Sequence, residues 1–107
     1  IGQDKTTSAL RLYLVPGMQH CGFGPGATEF GQGTGPRGDA QHDIYTALED
    51  WVEKSTAPAT LTARKTEGKG ADKKTIMTRP LCPYPQVARY DGKGDTNKAE
   101  SFACIAK

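Results

Sequence analysis

Between Pro16 and Ala40 the chain concentrates eight of its 13 glycines and three of its 7 prolines. So dense a run of residues that permit positive φ or lack a backbone donor sustains neither a helix nor a strand ladder. It reads as a long loop laid on something else, and a loop of this length is itself unusual inside a compact domain. With 107 residues in total, 36% of them hydrophobic, the rest supplies one small domain, or one piece of a larger one, around a thin core.

The flanks of the loop carry the elements. Residues 9–15, Ala-Leu-Arg-Leu-Tyr-Leu-Val, form a β-prone run stopped by Pro16-Gly17, the pattern of a buried strand ending in a turn. The His-bearing, glycine-rich loop is expected over 16–42. From Asp43 the pattern turns helical through 43–55: Ile44, Leu48, Trp51 and Val52 share one face with Ala47 beside them, and Glu49, Asp50, Glu53 and Lys54 fall opposite. Asp43 caps the start, and Ala57-Pro58 ends the element. Leu61–Thr66 and Lys74–Thr78 flank Glu67-Gly68-Lys69-Gly70, which predicts a small exposed hairpin over 60–78. The tail, 79–107, with Arg-Pro-Leu-Cys-Pro-Tyr-Pro at its head, is expected to be irregular and disulfide-tied. The strand run is apolar on both faces, as in a sheet covered on each side, so the chain lacks neighbours for it.

Charge and hydropathy exclude several partners. Fourteen Lys and Arg against 12 Asp and Glu leave +2, scattered apart from the Lys69–Lys74 stretch, so no nucleic-acid face is expected. No apolar run approaches the ~20 residues of a membrane-spanning helix, and a soluble chain with no membrane partner is expected. The first residues do not read as a signal peptide, and a start at Ile1 instead of Met reads as a processed product, a proteolytic fragment or a partial sequence.

The three cysteines allow one internal disulfide at most. Cys82 and Cys104 enclose a Pro- and Gly-containing segment, and a bridge there would contribute about 3 kcal/mol in the chain-entropy model. Cys21 is then left over, either as a buried free thiol or with a partner elsewhere.

Chemistry concentrates in Val15-Pro16-Gly17-Met18-Gln19-His20-Cys21-Gly22-Phe23-Gly24-Pro25-Gly26, where a strand runs into a tight turn presenting a histidine among glycines. Such a histidine can act as general base toward a serine, or it can be an ordinary loop residue making a hydrogen bond. His42, just ahead of the helix, reads as a capping-region or surface side chain. Zinc is not expected from His20, Cys21, His42, Cys82 and Cys104, which lack any Cys-x-x-Cys or His-x3-His pairing. Gly33-Thr34-Gly35-Pro36-Arg37-Gly38 spells G-x-G-x-x-G, but no strand leads into it and Pro36 interrupts it.

The run around His20, the following Phe30-Gly31-Gln32, the helix with Ala47-Leu48-Glu49-Asp50-Trp51-Val52-Glu53, and Thr78-Arg79-Pro80-Leu81-Cys82-Pro83-Tyr84-Pro85-Gln86-Val87-Ala88-Arg89-Tyr90 together resemble the C-terminal part of the tannase/feruloyl esterase family. Members of that family are secreted serine esterases with an α/β-hydrolase core, a lid that commonly holds calcium, and a Ser–Asp–His triad. The resemblance implies an α/β fold for this chain: the last strand, His loop, closing helix, hairpin and tail of such a core. It implies that His20 is the triad histidine, that Cys21 forms a disulfide with a cysteine beside the nucleophile on polypeptide outside this chain, and that Cys82 and Cys104 pair. Phe23 stands where many relatives carry glycine.

Departures from the family pattern are equally specific. No Gly-x-Ser-x-Gly elbow is present, Ser8, Ser55 and Ser101 lie in polar contexts, and only Asp4 precedes His20 as an acid. The chain by itself is therefore expected to be inactive. The implied function is a share in a secreted, or periplasmic, hydrolase of phenolic-acid esters, partnered by the rest of the enzyme, with no cofactor in this segment and calcium confined to the lid. The alternative is a non-catalytic, disulfide-stapled binding module.

Overall fold

The computed structural model describes residues 1–33 and 35–107; Thr34, within the G-x-G-x-x-G match, lies outside the described residues. A short helix α1 (Gln3–Thr7), unanticipated in the sequence, opens the chain. It buries nothing, as a five-residue helix too short to be stable by itself would.

Residues 9–15 form no ladder, which corrects the expected strand: Ala9 still belongs to the turn after α1, its N–H donating to Thr6 O at 3.1 Å. Strand geometry persists only where backbone groups find partners. Here Tyr13 makes an isolated bridge to Pro83, and Tyr84 N–H donates to Leu12 O at 2.8 Å. Side chains nevertheless alternate: Arg11, Tyr13 and Val15 turn inward, while Leu10, Leu12 and Leu14 stand in solvent, the last 62% exposed.

Helix α2 (Ile44–Lys54) is set by Asp43, whose Oδ1 accepts from Tyr45 N at 2.9 Å and Thr46 N at 3.1 Å, and it ends at left-handed Ser55. The apolar face drawn from the sequence is only partly covered. Ala47 alone is buried, whereas Leu48 and Val52 are exposed.

Strands β1 (Leu61–Glu67) and β2 (Lys74–Leu81) form an antiparallel hairpin, longer than the sequence suggests and not exposed: Leu61, Thr62, Ala63 and Leu81 are buried. The hairpin is the floor of the core. Ala27 and Phe30 from the glycine-rich loop and Ala47 from α2 pack on Leu61, Ala63 and Leu81, with Tyr13, Val15, Met18, Ala40, Ile44 and Met77 around them. The loop is thus bound along its second half, where Glu29 and Arg64 exchange backbone hydrogen bonds of 2.9 Å in each direction.

The tail is not irregular. Strands β3 (Gln86–Tyr90) and β4 (Phe102–Ala106) pair antiparallel, with Ala88 opposite Cys104. The expectation fails because the prolines lie before β3 and the two strands are joined by a long polar connection, so no short-turn hairpin signal exists. Residues 91–98 fold locally instead: Asp91 accepts from Lys93 N and Gly94 N, and Tyr90 Oη donates to Gly94 O at 2.6 Å. A Cys82–Cys104 disulfide fastens the end of β2 to β4, and the Arg79 guanidinium lies 4.6 Å over the Phe102 ring.

Candidate active site

The His20 turn is built by close backbone approach. Gln19 and Gly22 bridge each other, Gln19 N–H donates to Phe23 O at 3.2 Å, and Gly26 N–H donates to Gly17 O at 3.3 Å, so residues 17–26 close on themselves. Glycine is required at the crossing. A Cβ on Gly17 would meet Gly26 N at 2.8 Å, and one on Gly24, itself at φ +100°, would collide with Gly17 O. The closed loop pushes His20 and Cys21 outward at its tip, both exposed.

Cys21 and Phe23 occupy left-handed backbone conformations, φ 61° and 60°, which are costly for residues carrying a Cβ. The Cys21 thiol is free and exposed, so the buried-thiol reading is corrected: the turn it caps has no interior to point into. His20 Nε2 and Cys21 Sγ lie 3.9 Å apart. Phe23 is 83% exposed and forms an apolar knob on the rim. Among the described residues the His20 ring contacts no serine hydroxyl and no carboxylate.

His42 sits apart from this turn in chemistry. Its Nδ1 lies 2.8 Å from Asp39 Oδ1 on the surface, and the imidazole beside it, with the Gln41 amide, holds the Asp39 carboxyl below its usual range. Asp43 is buried; burial pushes its carboxyl up, but the amides of Gly38, Thr46 and Tyr45 and the Arg37 guanidinium outweigh it and hold the group below its usual range. Arg37 turns its remaining donors onto the carbonyls of Gly31, Gly33 and Gly35 and stacks 5.0 Å over Tyr45, so the cation of the G-x-G-x-x-G match is engaged locally.

What fixes the loop from below carries no signal in the amino-acid pattern. Lys65 of β1 reaches Pro25 O at 3.1 Å and Gly24 O at 3.4 Å. Thr66 Oγ1 donates to Glu29 Oε2 at 2.7 Å, and Lys73 pairs with Glu29 Oε1 at 3.4 Å. Burial alone would raise the Glu29 carboxyl, but these partners bring it down. A surface-type lysine in a hairpin carries no mark in a one-dimensional pattern, and only the register of β1 against the loop shows its reach. A separate groove of about 390 Å³ opens between residues 11–13 and α2, lined by Arg11, Tyr13, Phe30, Leu48, Trp51 and Pro58. Burial pushes the Tyr13 phenol up, and its hydroxyl donates to Ala59 O at 2.6 Å. Among the described residues no group of three His, Cys, Asp or Glu side chains is arranged to hold a metal ion.

The family model described as tannase and feruloyl esterase matches residues 1–105. The chain belongs to that family. It is 41% identical over 104 residues to an uncharacterized esterase of Xanthomonas campestris pv. campestris, covering 94% of this chain and 18% of the relative. It is 45% identical over 96 residues to a mono(2-hydroxyethyl) terephthalate hydrolase of Piscinibacter sakaiensis, covering 90% of this chain and 14% of that one. A probable feruloyl esterase of Arthroderma benhamiae is 41% identical over 103 residues, covering 96% and 17%. Among solved structures, an esterase from Aspergillus oryzae superposes with a TM-score of 0.85 at 27% identity, over 98% of this chain and 21% of the other. Feruloyl esterase B from Aspergillus oryzae gives 0.83 at 29%, over 95% and 20%. The chain therefore spans less than a fifth of the curated relatives named here, and its mixed helix and strand content is that of one part of the solved esterases.

Proposed function

We propose that this chain is the histidine-bearing C-terminal segment of a secreted or periplasmic serine carboxylic ester hydrolase acting on phenolic-acid esters of the feruloyl esterase or tannase type. The single observation that carries the reading is the closed glycine loop that presents His20 and Cys21 together, exposed, beside faces the chain leaves open. Residues 9–15 take the place of the last strand of an α/β-hydrolase sheet, His20 follows on its loop, and α2 closes the core, the order in which such folds place their histidine. Leu10, Leu12 and Leu14 on one element and Leu48 and Val52 on the other are the surfaces the rest of the enzyme covers. Cys21 bonds to a cysteine beside the nucleophile on that polypeptide. The Cys82–Cys104 bridge fits an oxidising compartment.

In this reading His20 takes the proton of the serine hydroxyl as it attacks the ester carbonyl and returns it to the departing alcohol. It then withdraws a proton from the water that hydrolyses the acyl-enzyme. The carboxylate that orients the ring, the serine and the oxyanion hole belong to the remaining polypeptide. Calcium, confined by the family resemblance to a lid, enters no step here. Methyl ferulate hydrolysis by the complete esterase polypeptide is the test. His20→Ala is expected to lower kcat on the order of 10⁴- to 10⁶-fold with KM little changed, and the 107-residue chain alone to show no turnover. Activity of His20→Ala within tenfold of the parent, or full activity of the isolated chain, overturns the proposal.

A further inference from the structure

We propose that Lys65 is a positioning residue for His20, acting as a cationic clamp on the return limb of the histidine loop; this rests on the reading of His20 as the general base. Within the loop, the hydrogen bonds that close residues 17–26 run from backbone to backbone, Gln19 to Phe23 and Gly26 to Gly17, at 3.2 and 3.3 Å. Backbone bonds at an exposed tip open readily, because water competes for each group. From outside the loop, the Lys65 ammonium reaches the carbonyls of Gly24 and Pro25, which immediately precede the Gly26 crossing. An ammonium with three donors and no acceptor suits two adjacent carbonyls, and hydrogen bonds to a charged donor are stronger than neutral ones.

The strand is shaped to deliver this contact. The β1/β2 register slips between Lys65 and Thr66, where Lys65 faces Met77 and Thr66 faces Thr75, leaving Ile76 unpaired. A bulge at that point re-aims neighbouring side chains. Lys65 and Thr66, adjacent along the strand, both grip the loop chain, Lys65 at 24–25 and Thr66 at Glu29. Met77, opposite Lys65, packs against the core, so the base of the clamp is anchored where the molecule is best packed. The glycines let the loop cross itself; the lysine holds it crossed, which fixes where the imidazole stands relative to a serine supplied from elsewhere.

The complete esterase polypeptide is compared with Lys65→Met, which keeps the hydrocarbon stem, and Lys65→Arg, which keeps the cation. Two readouts are taken: hydrogen exchange of the peptide spanning Gln19 and Gly26, and kcat and KM for methyl ferulate. Lys65→Met is expected to speed exchange in that peptide roughly tenfold, leave exchange in β2 unchanged, and lower kcat roughly 10- to 100-fold with KM within about twofold. Lys65→Arg restores most of both. Unchanged exchange in Lys65→Met overturns the clamp, whatever happens to kcat, and so does faster exchange spread over β2, which would mark a general loss of stability. Faster loop exchange with unchanged kcat refutes the positioning role while leaving His20 to be judged by its own alanine variant in the same assay.

Discussion

Replacing Asp43 tests the physical account of how the loop is handed to the helix. The side chain is 2% exposed and serves four partners: Tyr45 N and Thr46 N on Oδ1 at 2.9 and 3.1 Å, Gly38 N on Oδ2 at 2.9 Å, and Arg37 Nη1 at 3.4 Å. Asp43→Ala removes a helix cap, about 1 kcal/mol, and strips a buried ionised acceptor whose bonds add about another 1 kcal/mol. Gly38 is exposed, so water replaces that bond at little cost. The sum, about 2 kcal/mol, corresponds to roughly 30-fold faster opening of the helix. Asn caps nearly as well, but its amide can turn only one oxygen inward and carries no charge for Arg37, so Asp43→Asn should cost about 1 kcal/mol, roughly fivefold. The carboxyl is held below its usual range in the folded chain, so its contribution is fully present above the unfolded value of about 3.9 and is lost as pH falls through the lower folded value. Hydrogen exchange of the peptide covering residues 44–54, with each rate divided by the intrinsic rate at that pH, measures the effect. The parent should approach Asp43→Asn only in the acid range below pH 4. A change under twofold in Asp43→Ala, or a gap between parent and Asp43→Asn that is constant down to pH 2, refutes the reasoning.

Two further outcomes follow from covalent and steric constraints. Cys82 and Cys104 are 22 positions apart, and converting both to serine should destabilise the β3/β4 unit by about 3 kcal/mol, seen as exchange in β3 and β4 rising while β1 stays protected; equal rises in both sheets contradict the assignment. Gly24→Ala should force the loop open, because its Cβ would collide with Gly17 O and its φ of +100° is strained for alanine. The cost, about 1–3 kcal/mol, should appear as lost protection at Gln19 and Gly26, and retained protection at both refutes the crossing geometry.

What could be read in advance follows from the range of the interactions. Asp43 and the apolar spacing after it are local, so α2 was legible to within a residue or two, and the glycines of 16–40 announced a loop because each acts through its own φ. The pairing of β3 with β4 was not legible: Gln86 and Ala106 meet across a polar connection that carries no turn signature, and the prolines beside them argued against any strand. Residues 9–15 misled for a physical reason, since the run is strand-like in composition but a strand exists only with a partner, and the chain offers it Pro83 and little more. The histidine loop was visible from its residues and its family resemblance, whereas Lys65 was invisible because its reach depends on the register of β1 against the loop and on a bulge in β2.

The distribution of burial separates a firm scaffold from a set of exposed apolar side chains. Leu61, Ala63 and Leu81 anchor the hairpin, and the glycine loop, through Ala27 and Phe30, seals one side of it. Leu10, Leu12, Leu14, Leu48 and Val52 stand in solvent, and a groove lined by Leu48 and Trp51 opens between residues 11–13 and α2. Under the proposed reading of His20 as the general base, fixing the histidine loop from β1 through Lys65 would give the imidazole a set position before any serine and acid were brought to it.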